Sequence, residues 1–125
     1  MIKSLNIEIW EREFSLPVEY DCYEDETVTD MQIRAAESFL AHPNWIANAK
    51  KQVEQFCSKQ VQDDSENSKK NNIFSYIKPE YLFVKREATP RIALMCKYRY
   101  DMEHGLAVVF SPDGAITVGP QDIIL

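Results

Sequence analysis

Glycine is nearly missing from this chain: there are three among 125 residues, none before position 105. A loop that cradles phosphates needs clustered glycines so that backbone amides can close on the anion, and a nucleophile elbow needs Gly-Xaa-Ser-Xaa-Gly. Neither can be built here, which removes the best-known nucleotide-binding and acyl-transfer signatures. Cysteine is equally sparse. Cys22, Cys57 and Cys96 are odd in number, far apart, and without the short spacings of a zinc site. None has a histidine in a suitable local arrangement, so a thiolate nucleophile is not expected. They read as reduced, largely buried thiols, the habit of a cytosolic protein.

Positive charge is also short. Fourteen Lys and Arg stand against 20 Asp and Glu, a net charge of −6. A sequence-independent grip on phosphates needs clustered Lys and Arg, so nucleic acid is not an expected partner. The same negative field favours encounter with a basic partner, though acidity also serves plain solubility. No long apolar run occurs, so no membrane contact is expected. The opening Met1-Ile-Lys-Ser-Leu-Asn-Ile-Glu-Ile-Trp10 alternates apolar and polar residues, unlike the continuous apolar centre of a signal peptide, and a cytoplasmic location follows as the expectation.

What is present is an ordinary globular composition, 45% apolar and 27% charged, in a length suited to one domain spanning residues 1–125. Leu5, Ile7 and Ile9, then Phe14, Leu16, Val18 and Tyr20, alternate with polar residues and predict a hairpin turning near Glu11-Arg12-Glu13. Pro17 lacks an amide donor and predicts an edge or a bulge in the second strand. Thr29-Asp-Met-Gln32 is a capping box, so a helix should start at Asp30 and end near Ala41, with Ile33, Ala36, Phe39 and Leu40 inward. A second helix from Asn44 to Lys59 carries Ile46, Ala49, Val53, Phe56 and Cys57 at helical spacing. The polar segment 60–72 predicts an exposed loop. Strands are expected at 81–85, 91–100, 105–110 and 115–118, with a type I turn at Ser111-Pro-Asp-Gly114. The fold class expected is therefore α+β: an N-terminal β-hairpin, a two-helix hairpin, then a three- to four-stranded antiparallel β-meander packed on the helices.

Chemistry, if there is any, belongs to Asp101, Glu103 and His104, with Asp122 able to return beside them. Carboxylates and an imidazole suit a divalent metal or acid–base work. In extended backbone, however, Asp101 and Glu103 project one way and His104 the other, so one metal would need a tightly curled turn before Gly105. The spacing favours a structural reading: Asp101 accepts backbone amide protons, Glu103 and His104 fix the turn, and Gly105 takes a backbone geometry closed to other residues. His42 suits the carbonyl end of the first helix better than a ligand role. Trp10, Tyr20, Tyr23, Trp45 and Tyr81 include candidate anchors for a partner, although most aromatic residues in a small domain are core.

The stretch Asp101-Met-Glu-His-Gly-Leu-Ala-Val-Val-Phe110, followed by a turn and Val118-Gly-Pro-Gln-Asp122, resembles a family of small bacterial uncharacterised domains with an Asp-Xaa-Glu-His-Gly-Leu element and a Val-Gly-Xaa-Xaa-Asp ending. It departs from that pattern at Arg99, where an aromatic residue is usual. The resemblance implies an immunity protein of contact-dependent or other polymorphic toxin systems. Such a protein is not an enzyme and holds no metal or cofactor; its partner is a cognate toxin domain. It brings no catalytic residues to carry over. The candidate contacts are Glu24, Asp25 and Glu26 before the first helix and Asp63, Asp64 and Glu66 in the polar loop, where negative charge gathers on exposed backbone. The alternative is a metal- or small-ligand-binding domain using Asp101, Glu103, His104 and Asp122. Oligomeric state is not legible.

Overall fold

A computed structural model of the chain describes residues 1–60 and 73–125. Strands β1 (Ser4–Ile9) and β2 (Arg12–Tyr20) form the N-terminal hairpin, followed by helices α1 (Asp30–Leu40) and α2 (Asn44–Gln60). A short 3-10 turn (Ile73–Tyr76) leads into β3 (Ile77–Val84), β4 (Ile92–Tyr98), β5 (Leu106–Phe110) and β6 (Ile116–Gly119), and a second 3-10 turn (Gln121–Ile123) follows. All six strands belong to one sheet in sequence order, β1-β2-β3-β4-β5-β6. The expected meander is β3 to β6, antiparallel throughout.

The arrangement differs from the expectation in two ways. First, strands that are expected to pair antiparallel include one parallel junction, where β2 joins β3 through Val18, Glu19 and Tyr20. Pro17 stands one residue before that junction, paired with Ser4 of β1 on its other side, so its missing amide interrupts no ladder toward β3. Second, each helix touches the sheet more than it touches the other, with α1 over β3 and β4 and α2 over β5 and β6. Both helices lie on one face of the sheet, and Phe39 of α1 meets Trp45 of α2 at 6.3 Å between ring centroids. At their corner Phe39 of α1 meets Phe110 of β5 at 5.3 Å between ring centroids, and Trp45 stacks on the same Phe110 at 6.2 Å. Each such aromatic pair adds about 1 kcal/mol to the area it buries.

Alternation in β4 and β5 divides the sheet into two faces. Ile92, Leu94, Cys96, Tyr98, Leu106, Val108 and Phe110 face the helices with Ile46, Ala49, Val53 and Cys57 of α2. Ala93, Met95, Ala107 and Val109 form a second, smaller core on the opposite face with Ile124. Both faces are thus covered, and the two central strands are apolar without alternation. In β3 the register shifts between Pro79 and Tyr81, placing a bulge beside the buried proline.

The capping box forms as the sequence predicts. The Thr29 hydroxyl accepts from the Gln32 amide at 3.1 Å, and the Gln32 side-chain oxygen accepts from the Thr29 amide at 2.9 Å. Gln32 is nevertheless fully buried, because its side-chain Nε2 donates to the carbonyls of Asp21 (2.9 Å) and Val84 (3.2 Å). One amide therefore ties the start of α1 to the ends of β2 and β3. The inward stripe of α1 rotates to match: Gln32, Ala36 and Phe39 are buried, whereas Leu40, expected inside, is 40% exposed.

The hairpin turn lies at Trp10-Glu11, between the paired Ile9 and Arg12, one to two residues earlier than expected. Both turn residues have positive φ, 48° and 74°, as a two-residue type I′ turn requires, yet neither is glycine or asparagine. Trp10 is held there by its indole N–H, which donates to the Ile46 carbonyl at 3.0 Å, and by its ring against Phe74 at 4.7 Å.

Two stability changes follow. Gln32→Ala strands the Thr29 amide and the Asp21 carbonyl, and should cost about 3 kcal/mol in urea denaturation; a loss below about 1 kcal/mol would show that the amide is no lock. Glu11→Gly relieves a left-handed backbone that side chains disfavour, and should raise stability by about 1 kcal/mol. A drop in the denaturation midpoint would mean that the Glu11 side chain itself supports the turn.

Candidate functional site

Between β4 and β5 the chain curls tightly. The Asp101 amide donates to Tyr98 O at 3.1 Å and the Gly105 amide to Asp101 O at 2.8 Å. This curl brings Asp101 and His104 together, overcoming the opposite projection they would have in extended chain. The Asp101 carboxylate accepts from the His104 amide at 3.2 Å and meets His104 Nδ1 at 3.0 Å. Hydrogen bonding to Asp101, and then its charge, raise the His104 pKa above the ordinary 6.5, with smaller help from Glu103 and Asp122. Glu103 and Asp122 are exposed, and neither forms an ion pair with His104.

Gly105 follows at φ +64°, a left-handed value that suits glycine. A Cβ there would stand 2.7 Å from Gln121 Nε2 and 2.9 Å from Cys96 O. Those two atoms are hydrogen bonded to each other at 3.0 Å, and the Gln121 amide also donates to His104 O at 2.9 Å. The C-terminal turn is thus fastened to the Asp101–Gly105 turn by a residue that the sequence reading passed over. Gln121 follows two residues after a glycine and directly after a proline, and nothing in that context marks it as a clasp.

Among the described residues no three His, Cys, Asp or Glu side chains are grouped to hold a metal ion. His42 caps α1 as expected: its Nδ1 lies 2.7 Å from Ser38 O and its ring stacks on Trp45 at 4.6 Å. The three cysteines are free. Burial pushes the Cys96 and Cys57 thiols up in pKa, away from a reactive thiolate. The Tyr98 hydroxyl is buried beside Cys57, which does not meet it in hydrogen-bonding geometry.

Of the acidic candidates, Glu24 and Asp25 are exposed. Glu26 is used internally: it accepts from the Tyr23 amide at 2.9 Å and pairs with Arg86 at 3.3 Å. Asp63, Asp64 and Glu66 lie outside the described residues. No helix among the described residues is long and apolar enough to cross a membrane.

These features define a small α+β domain with a mixed, mostly antiparallel sheet, whose most distinctive turn is closed on itself. The chain belongs to the DUF6985 family, a domain of unknown function, which matches residues 2–125. No curated protein and no solved structure matches it.

The Asp101–His104 pair has a defined pH signature. A histidine whose pKa is raised by folding contributes stability that is complete below its unfolded value of about 6.5 and fades as pH climbs through its folded value. An NMR titration should place the His104 pKa above 6.5, and Asp101→Asn should bring it down. An unchanged value in Asp101→Asn would show that the pair does not form in solution.

Proposed function

We propose that this protein is a non-enzymatic immunity protein that binds and neutralises a cognate bacterial toxin domain in the cytoplasm, covering a basic, nuclease-like surface with its own acidic one. The observation that carries this reading is the disposition of charge. The net charge is −6, and Glu24 and Asp25 are exposed in the loop before α1 without an ion pair among the described residues. Unpaired exposed carboxylates steer a basic partner and contribute chiefly to the rate of encounter.

The closed character of the Asp101–His104 turn supports the same reading. Its Asp101 carboxylate accepts from the His104 amide and meets the His104 ring, and among the described residues no third ligand joins the pair to hold a metal, which fits a turn that shapes the sheet. The resemblance carried by Asp101-Met-Glu-His-Gly-Leu106 points to immunity proteins independently of charge.

The direct experiment is co-purification with the toxin domain encoded beside this gene. Retention of that domain by the wild-type chain, weakened by Glu24→Lys/Asp25→Lys and by raised salt, is the expected result. A toxin domain that passes through unretained at low salt would rule the proposal out.

A further inference from the structure

The β1–β2 hairpin does not end in solvent. Its tip leans over the corner where α1 meets α2, and a groove of about 490 Å³ opens between them. That volume lies within the roughly 300–1,000 Å³ typical of ligand sites. Ile7 and Trp10 of the hairpin line it together with Phe39, Leu40, Pro43 and Ile46 of the helical corner. Leu40 is one of two large apolar side chains that α1 leaves exposed, 40% accessible at the end of the helix, the other being Met31 in its first turn. The apolar content of the groove is therefore unfilled by the chain itself.

Two carboxylates and one ammonium, that of Lys50, line it. Glu8 and Glu11 line the groove, and Glu13 stands directly opposite Glu8 across the β1–β2 ladder. Like charges in that position repel. Among the described residues no ion pair engages any of the three. The nearby cations do not answer them. Arg12 turns its guanidinium to the carbonyls of Phe74 (2.8 Å) and Ile77 (3.2 Å), and Lys50 lays its ammonium over the Phe74 ring at 5.6 Å. Trp10 and Glu11 hold left-handed backbone throughout. The tip thus keeps an apolar slot open beside Glu8 and Glu11, neither of them in an ion pair among the described residues, and the complement of that surface is an apolar side chain set among cations.

We infer that the groove between the β1–β2 tip and the α1–α2 corner docks an apolar side chain flanked by lysines or arginines on a partner protein. The inference rests on the partner-binding reading above and moves its anchor from the loop at 24–26 to the hairpin tip. In such an interface the inserted side chain gives most of the affinity and the surrounding charges give rate and selectivity.

The test uses the full chain and a short synthetic peptide with one phenylalanine between pairs of lysines, followed by NMR. Addition should shift the Trp10 indole N–H and the amides of Ile7, Ala47 and Lys50. Replacing the phenylalanine by alanine, or the lysines by glutamates, should weaken binding at least about tenfold, a loss of ~1.4 kcal/mol. Glu8→Lys/Glu11→Lys should do the same. That variant turns the repelling Glu8–Glu13 pair into an attracting one, so it keeps its fold, and Glu19→Lys/Glu54→Lys makes the same change in net charge elsewhere and should bind like the parent. Shifts that avoid the groove, or that persist unchanged in Glu8→Lys/Glu11→Lys, overturn the inference. Capture of the neighbouring toxin domain is scored separately. A peptide seated in the groove with no toxin captured would sink the immunity reading and leave the groove standing. A captured toxin with Trp10 unmoved by the peptide would sink the groove alone.

Discussion

β2 and β3 run in the same direction, so no tight turn can join them, and the intervening chain must cross the sheet and return. That crossing is where both helices lie, and it settles which face of the sheet they cover. The junction itself is short, three residue pairs from Val18 to Tyr20. It is secured at its far end by Gln32, whose side chain joins the start of α1 to the last carbonyls of both strands, and by the Asp21 amide, which donates to the same Val84 carbonyl at 2.9 Å. A buried amide is tolerated only when its donors and acceptor are all engaged, and here they are. Helix start, strand ends and parallel pairing therefore stand or fall together.

The same short junction explains the reach of the hairpin. Because only the last part of β2 is bound to β3, the earlier part is free to leave the plane of the sheet and lay Trp10 against α2. The tip and the helical corner then define a surface that neither element would present alone. At the opposite side of the sheet the Asp101–Gly105 turn plays a quieter part, clasped by Gln121 so that the C-terminal turn holds Ile124 over Met95 and Val109.

Local signals in the sequence are legible, and strand direction is not. The capping box at Thr29, the buried stripe of α2, the turn at Ser111–Gly114 and the four strands of the meander follow from short-range chemistry, and the structure has them. The parallel pairing was invisible because an alternating strand pattern says nothing about direction. The apolar runs of β4 and β5, buried on both faces, were the available hint that the second face is covered as well. Gln32 was seen as a cap and missed as a core residue, since its other partners, Asp21 and Val84, are far away in sequence. The turn at Trp10-Glu11 was misplaced because it uses side chains where glycine or asparagine would have announced it. Within the candidate site the turn is legible, with Asp101 accepting a backbone amide and Gly105 in a left-handed conformation, whereas the contact between the Asp101 and His104 side chains depends on a backbone curl that alternation does not describe.

The topology also carries a kinetic consequence. Strands β3 to β6 are neighbours in sequence, so the meander condenses by closing short loops, whereas the β2–β3 junction must wait for the long excursion through both helices to close. The docking of the N-terminal hairpin onto β3 is then a late event in folding, although the hairpin itself closes the shortest loop in the sheet. Weakening the junction should quicken unfolding and leave refolding nearly untouched, while weakening the meander should slow refolding; the reverse pattern would place the junction in the nucleus.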